Sequence, residues 1–207
     1  MKKEEETKKE AKEELNFYKQ NDFISINDVK DIPEKKGCYI IRILEGVKMH
    51  SKYKFEENSL SNRIIYVGLG GEKGSKQTIK SRFSTHKRDS GTPSSSFRRS
   101  ISAVLMKEKQ LNPFLNNSKK IDHKNKERTI ITDFIKHKCE CRFITLKDNK
   151  NFSTAEKLEK YLVEDLKPTL NCKGSHDKEH NEYYHDITRL RKKQRDKASK
   201  KLEEAPK

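Results

Sequence analysis

Two short runs of β-branched and aromatic residues constrain this chain more than any other feature. Cys38 to Leu44 carries Tyr39, Ile40, Ile41 and Ile43, and Ile64 to Gly68 carries Ile64, Ile65, Tyr66 and Val67. Both read as buried strands, because such side chains suit a pleated, packed surface. The second ends in a glycine-rich stretch (Gly68, Gly70, Gly71, Gly74), where the backbone can turn sharply and leave room for a ligand. Elsewhere core material is scarce: 30% of the 207 residues are hydrophobic and 39% are charged. A core of ordinary density therefore uses only part of the chain, and the rest is peripheral.

Charge narrows the choice of partners. Lys and Arg number 48 against 32 Asp and Glu, a formal net charge of +16. A polyanion is the natural partner of such a field, through phosphate contacts and counterion release, with an anionic membrane surface as the rival. The basic residues show no clear amphipathic apolar face, which places the membrane role last. No apolar run approaches the roughly 20 residues that a spanning helix needs. Met1-Lys2-Lys3-Glu4-Glu5-Glu6 has no apolar region behind it, so no secretory signal is read and a cytoplasmic, intracellular location is expected. The scattered Cys38, Cys139, Cys141 and Cys172 are expected as free thiols. Positive charge is concentrated between Lys76 and Lys109, with nine Lys or Arg against Asp89 and Glu108. It is concentrated again between Thr188 and Leu202, with eight against Asp196.

The remaining elements follow from period and caps. Residues 1–34 are a charged N-terminal extension, and 45–62 is a long polar insertion between the two strands. Thr78 to Arg88 is helical by the spacing of Ile79 and Phe83, and Gly91-Thr92-Pro93 breaks it. Ser94 to Lys109 forms a second helix with Phe97, Ile101, Val104 and Leu105 on one stripe and serines at its start. Asn112 to Lys126 is turn-prone, and Arg128 to Ile135 stays undecided between helix and strand. Cys139, Cys141, Phe143 and Thr145 alternate as in a half-buried strand. Ser153-Thr154-Ala155-Glu156 fits a capping box, Leu158, Leu162 and Leu166 mark the helix it starts, and Pro168 ends it. These elements make an α/β (α+β) domain over residues 35–173, and 174–207 reads as a basic C-terminal tail that is open to helix formation.

Three pieces in order then carry a resemblance: Gly37-Cys38-Tyr39, Tyr66-Val67-Gly68, and Glu159 ahead of Lys167-Pro168-Thr169-Leu170-Asn171, with Arg82 and His86 on the helix between the second and third. The set resembles the GIY-YIG nuclease family over roughly residues 37–171, with Cys38 and Val67 standing where the family motifs have Ile. The resemblance implies a small antiparallel three-stranded sheet flanked by helices, and metal-dependent hydrolysis of nucleic-acid phosphodiesters. DNA is the expected partner with RNA left open; a dimer is possible, and the oligomeric state is otherwise undetermined.

The resemblance also assigns roles that the chemistry can support. Glu159 would hold Mg²⁺ (or Mn²⁺), a hard cation that retains several waters and can manage with one protein carboxylate. Arg82 would offer planar donors to a phosphate oxygen. His86, one helical turn on, would relay a proton or contact the phosphate. Tyr39 would take the proton of the attacking water, which requires nearby positive charge because a phenol is a poor base at its reference pKa of about 10. Tyr66 would position the scissile phosphate, and Asn171 would hold the turn or support the site. Lys80, Lys87, Arg88, Arg98 and Arg99 are candidate phosphate contacts, better as a group than singly.

Two rival constellations are weaker. His137-Lys138-Cys139-Glu140-Cys141, with His123 or Cys172, lacks the common spacing of zinc knuckles. The Gly68 to Gly74 run lacks the Gly-Lys-Ser/Thr of a Walker loop. Two functions therefore remain open at this point. One is a compact endonuclease, restriction-like or structure-directed. The other is a non-cleaving nucleic-acid-binding protein on the same fold.

Overall fold

The computed structural model describes residues 23–44, 46–47, 64–72, 74–146, 152–171 and 184–203. Most of the N-terminal extension, nearly all of the 45–62 insertion and Cys172 lie outside these residues.

The two apolar runs form the centre of the sheet. β2 (Gly37–Ile43) and β3 (Ile64–Gly70) pair antiparallel, with Tyr39 opposite Gly68 and Gly37 opposite Gly70. β6 (Cys139–Thr145) pairs with the other side of β2, setting Tyr39 opposite Phe143. A two-residue strand, β1 (Ile24–Ser25), closes the far edge against β6, so the order is β1-β6-β2-β3. The expected three-stranded sheet is thus corrected to four strands. A two-residue Ile-Ser strand carries no period; its place is set by tertiary pairing, which continues as Ile26 N–H donates to the Cys139 carbonyl at 3.1 Å.

A bulge separates two faces of the sheet. The β2–β3 register shifts between Ile41 and Arg42, so β3 carries one extra residue there. Ile65 and Tyr66 consequently both join the core that contains Tyr39, Ile41 and Phe83, while Ile64 and Val67 join Cys38, Ile40 and Ile144 in a second core.

Helices cover both faces. α1 (Ile79–Lys87) starts at Thr78, whose hydroxyl accepts from Ser81 N–H while the Ser81 hydroxyl accepts from Thr78 N–H. A 3₁₀ segment, Asp89–Ser94, occupies the predicted break and leads to α2 (Ser96–Leu105), capped by Ser95. A short hairpin of β4 (Phe114–Leu115) and β5 (Ile121–Asp122) precedes α3 (Asn125–Lys138), which settles the undecided stretch as helix. α4 (Ala155–Leu166) lies on the second face, with Leu158, Leu162, Val163 and Leu166 buried in that core. Its cap is Thr154, which accepts from Lys157 N–H, one residue later than the expected capping box. It ends with Lys167 in the left-handed region (φ 45°), ahead of Pro168. α5 (Tyr184–Glu203) packs on α2 and on the β4–β5 hairpin, and its Ile187 enters the first core.

Candidate active site

The site begins with a close approach in the sheet. Tyr39 and Gly68 face each other across β2 and β3, and the Tyr39 ring lies over the glycine backbone. A Cβ at position 68 would stand 2.0 Å from the ring carbon Cζ, far inside contact distance. The glycine of the second motif is therefore required by the tyrosine of the first. Phe83 of α1 meets the same ring edge-on, with centroids 5.3 Å apart.

The Tyr39 hydroxyl ends at His86. Its oxygen is 2.5 Å from Nε2, and the other ring nitrogen, Nδ1, is 2.8 Å from the Ser95 hydroxyl. Tyr66 stands beside this pair, 6.3 Å from the Tyr39 ring and 6.0 Å from the imidazole between centroids, and its hydroxyl is 3.0 Å from that of Ser96. Two consecutive serines at the start of α2 thus anchor one residue each. The serine cluster was legible in the sequence only as a helix start; its site role needs partners 9 and 30 residues away.

Arg82 and Glu159 bring charge to this aromatic cluster. Both are half-buried, whereas Tyr39 and His86 are fully buried. Glu159 comes from α4 on the second sheet face, yet its charge raises the pKa of Tyr39 and of Tyr66, while Arg82 lowers both. Burial outweighs both charges, and the two phenols sit above their ordinary range, Tyr39 well above it. Among the described residues no side-chain hydrogen bond or ion pair holds the Arg82 guanidinium.

His86 is neutral. Burial first, then the Arg82 and Arg98 charges, press its pKa down to about 3. Both ring nitrogens of His86 are bonded within the protein, Nε2 to the Tyr39 hydroxyl and Nδ1 to that of Ser95. The depressed value has a consequence for stability. Between its ordinary value of about 6.5 and about 3, the unfolded chain binds a proton that the folded protein refuses. Unfolding free energy should therefore fall as pH drops through that window, by about 1.4 kcal/mol per pH unit from this residue. Urea titrations across the window are expected to give a His86→Gln protein a slope shallower by about one proton. An unchanged slope would mean that His86 is not held neutral. His123, also depressed by burial, adds a slope of the same sign in both proteins.

Asn171 is bonded along the motif strand. β3 is the outer strand of the sheet, and residues 169–171 run along its free edge. Leu170 N–H donates to the Ile65 carbonyl at 2.8 Å. The Asn171 amide then mimics a strand, accepting from Val67 N–H at 3.0 Å and donating to the Val67 carbonyl at 2.9 Å. The Pro-x-x-Asn segment thereby fixes the end of α4, and with it Glu159, against the motif strand. Cys38 adds a tie at the other end of the helix, its thiol donating to the Ala155 carbonyl at 3.4 Å.

The five candidate phosphate contacts do not stay together. Lys80 is exposed and pairs with Glu34, Arg88 is exposed, and Lys87 donates to the Val29 carbonyl at 3.0 Å. Arg98 is a correction: it is 0% exposed, and its guanidinium donates to the His86 carbonyl at 2.8 Å and to the Thr132 hydroxyl at 2.9 Å. It also reaches the carbonyls of Asp89 and Arg128. It fastens the end of α1 to α3, its donors taken up within the protein. Arg99 is half-buried, donates to the Pro93 carbonyl at 2.8 Å, and lines an open cleft. The sequence could not separate Arg98 from Arg99, since adjacent residues on a helix point to different surroundings.

Cys139 and Cys141 lie on the buried face of β6, and burial raises both thiols, Cys141 to about 12. Among the described residues no group of three or more His, Cys, Asp or Glu comes together. None of the helices among them is long and apolar enough to cross a membrane.

A family profile, the GIY-YIG catalytic domain, matches residues 37–193. Neither the curated proteins nor the solved structures give a match.

Proposed function

The chain belongs to the GIY-YIG catalytic-domain family, a family of nucleases, and on that premise we propose that it is a divalent-metal-dependent endonuclease hydrolysing phosphodiester bonds in DNA. The observation that carries this reading is the contact of two tyrosines with one neutral histidine, within the electrostatic reach of Arg82 on one sheet face and of Glu159 on the helix of the other. Nucleic-acid binding alone requires no such combination.

The donor set fits a hard cation. One half-buried carboxylate, Glu159, suits Mg²⁺ or Mn²⁺, which keep several waters, and does not suit zinc, which wants several nitrogen or sulfur ligands. When bound, such an ion would neutralise charge on the phosphoryl oxygens and assist the leaving oxygen. Arg82 would meet a non-bridging oxygen with its planar donors. Tyr66, held by Ser96, would orient the phosphate. Water would attack phosphorus as the bond to the leaving oxygen breaks. Its proton would pass to the Tyr39 oxygen as the Tyr39 proton moves to His86 Nε2, along the 2.5 Å contact. Burial and the Arg82 and Arg98 charges keep His86 neutral at rest, and the negative charge of a bound phosphate would offset those cations and strengthen its hold on that proton.

Metal removal tests the reading. Protein dialysed against a chelator is expected to lose cleavage of plasmid DNA and to regain it with Mg²⁺ or Mn²⁺. Full activity in excess chelator would overturn the metal dependence. Discrete fragments from plasmid would mark restriction-like recognition, and preferential nicking of branched oligonucleotides would mark structure-directed recognition.

A further inference from the structure

Beside the tyrosine cluster, α5 and the start of α2 enclose an open cleft of about 700 Å³. Arg99, Lys120, Arg191, Lys192 and Arg195 line it together with Thr188, and no acidic residue does. On α5, Thr188, Arg191, Lys192 and Arg195 are spaced i, i+3, i+4, i+7, which puts them on one face. The buried side of the helix is a different stripe, marked by Ile187, Gln194 and Ala198. Gln194 donates to the Ser102 hydroxyl at 2.7 Å and fixes the rotation of α5 against α2. The cationic stripe is therefore aimed by packing and does not belong to a loose tail.

No acidic side chain among the described residues lines this cleft. Among the described residues none of the five forms an ion pair, although other cations of the chain do, such as Arg189 with Asp186. They also run toward the site. Burial lowers the pKa of the Arg99 guanidinium most, and the charges of Arg191 on the cleft side and of Arg82 on the site side lower it further. Like charges gathered without counter-charge repel, and a polyanion laid along them relieves the repulsion.

We propose that this cleft is a second phosphate-backbone site, which holds the DNA strand beyond the scissile phosphate through Arg99, Lys120, Arg191, Lys192 and Arg195. The inference rests on the nuclease reading, and it makes α5 part of the substrate-binding surface. DNA binding then extends from Arg82 through Arg99 onto α5.

The test uses the full chain with Glu159→Gln, so that DNA stays intact, and follows fluorescence anisotropy of labelled duplex DNA over a range of salt. Adding Arg191→Gln, Lys192→Gln and Arg195→Gln is expected to weaken binding at least about tenfold. It should also flatten the plot of log affinity against log salt by about 2 to 3, at about 0.9 per phosphate contact. A triple replacement with the same charge change on the solvent side of α5, Lys193→Gln, Lys200→Gln and Lys201→Gln, is expected to change the slope far less. Equal effects of the two triples, or no effect of the first, would overturn the proposal. Binding of single-stranded RNA in place of duplex DNA would overturn it too. Should the first triple melt early, the exposed Arg195→Gln alone carries the test, with a slope change of about 1. Wild-type cleavage of the same DNA separates the two readings: if DNA is cut while the triples behave alike, only the cleft fails, and if nothing is cut or bound, the nuclease reading itself fails.

Discussion

Glu159→Gln is expected to lower the single-turnover rate of DNA cleavage by about 10³-fold or more, about 4 kcal/mol of lost transition-state stabilisation. DNA binding should be unchanged or tighter. The substitution keeps the size of the side chain, removes its charge and exchanges one acceptor oxygen for an N–H₂ donor. Glu159 is the carboxylate whose field reaches both motif tyrosines, although it stands on the helix of the opposite sheet face. If it holds the cation, the loss falls on the chemical step, because a neutral amide is a poor ligand for Mg²⁺. With one negative charge fewer near the phosphate, repulsion of DNA falls, which offsets what the more weakly held cation contributes to the ground-state complex. A rate loss matched by an equal loss of DNA affinity would instead place Glu159 in binding. A wild-type rate would remove it from the site.

Tyr39→Phe should lower the rate by about 10² to 10³-fold, the range of a lost proton-transfer group. The ring stays, so the packing over Gly68 and against Phe83 is kept. What goes is the hydroxyl that contacts His86 Nε2. That leaves a buried nitrogen without its partner, a cost of about 1 to 3 kcal/mol in stability. Because Tyr39 is fully buried, a purely structural role has to be separated from a chemical one. In the chemical role, the rate measured well below the melting midpoint falls while the folded fraction stays near unity, and the pH profile of cleavage changes shape. In the structural role, activity follows the folded fraction and the profile keeps its form. An unaltered rate in folded Tyr39→Phe protein would transfer proton acceptance to another group.

The parts of this site that were legible in the sequence are those whose signal is local. Two apolar runs marked β2 and β3, and the i, i+4 spacing of Ile79 and Phe83 marked the helix that carries Arg82 and His86. The Pro-x-x-Asn ending of α4 was readable as a turn. Its pairing with Val67 was not, since the partner lies 104 residues away. Arg98 and Arg99 look alike in sequence, and only the 3₁₀ segment and α3 closing over Arg98 make it internal. β1 escaped because two residues have no period. The basic C-terminal stretch concealed α5's packing, because its buried stripe holds one isoleucine, one glutamine and one alanine among many charges. Hydropathy passes over such a stripe, yet Ile187 in the core, Leu190 packed against it and Gln194 on Ser102 seat the helix.

The central claim is that this protein cuts DNA with the cluster around Tyr39 and Glu159. Conversion of supercoiled plasmid to nicked and linear forms in Mg²⁺ or Mn²⁺, by wild-type protein and by Glu159→Gln protein purified in parallel, tests it most directly. The account predicts conversion by the wild type and none by the variant. Equal conversion by both, or plasmid bound but left uncut by the wild type with either metal, would contradict it.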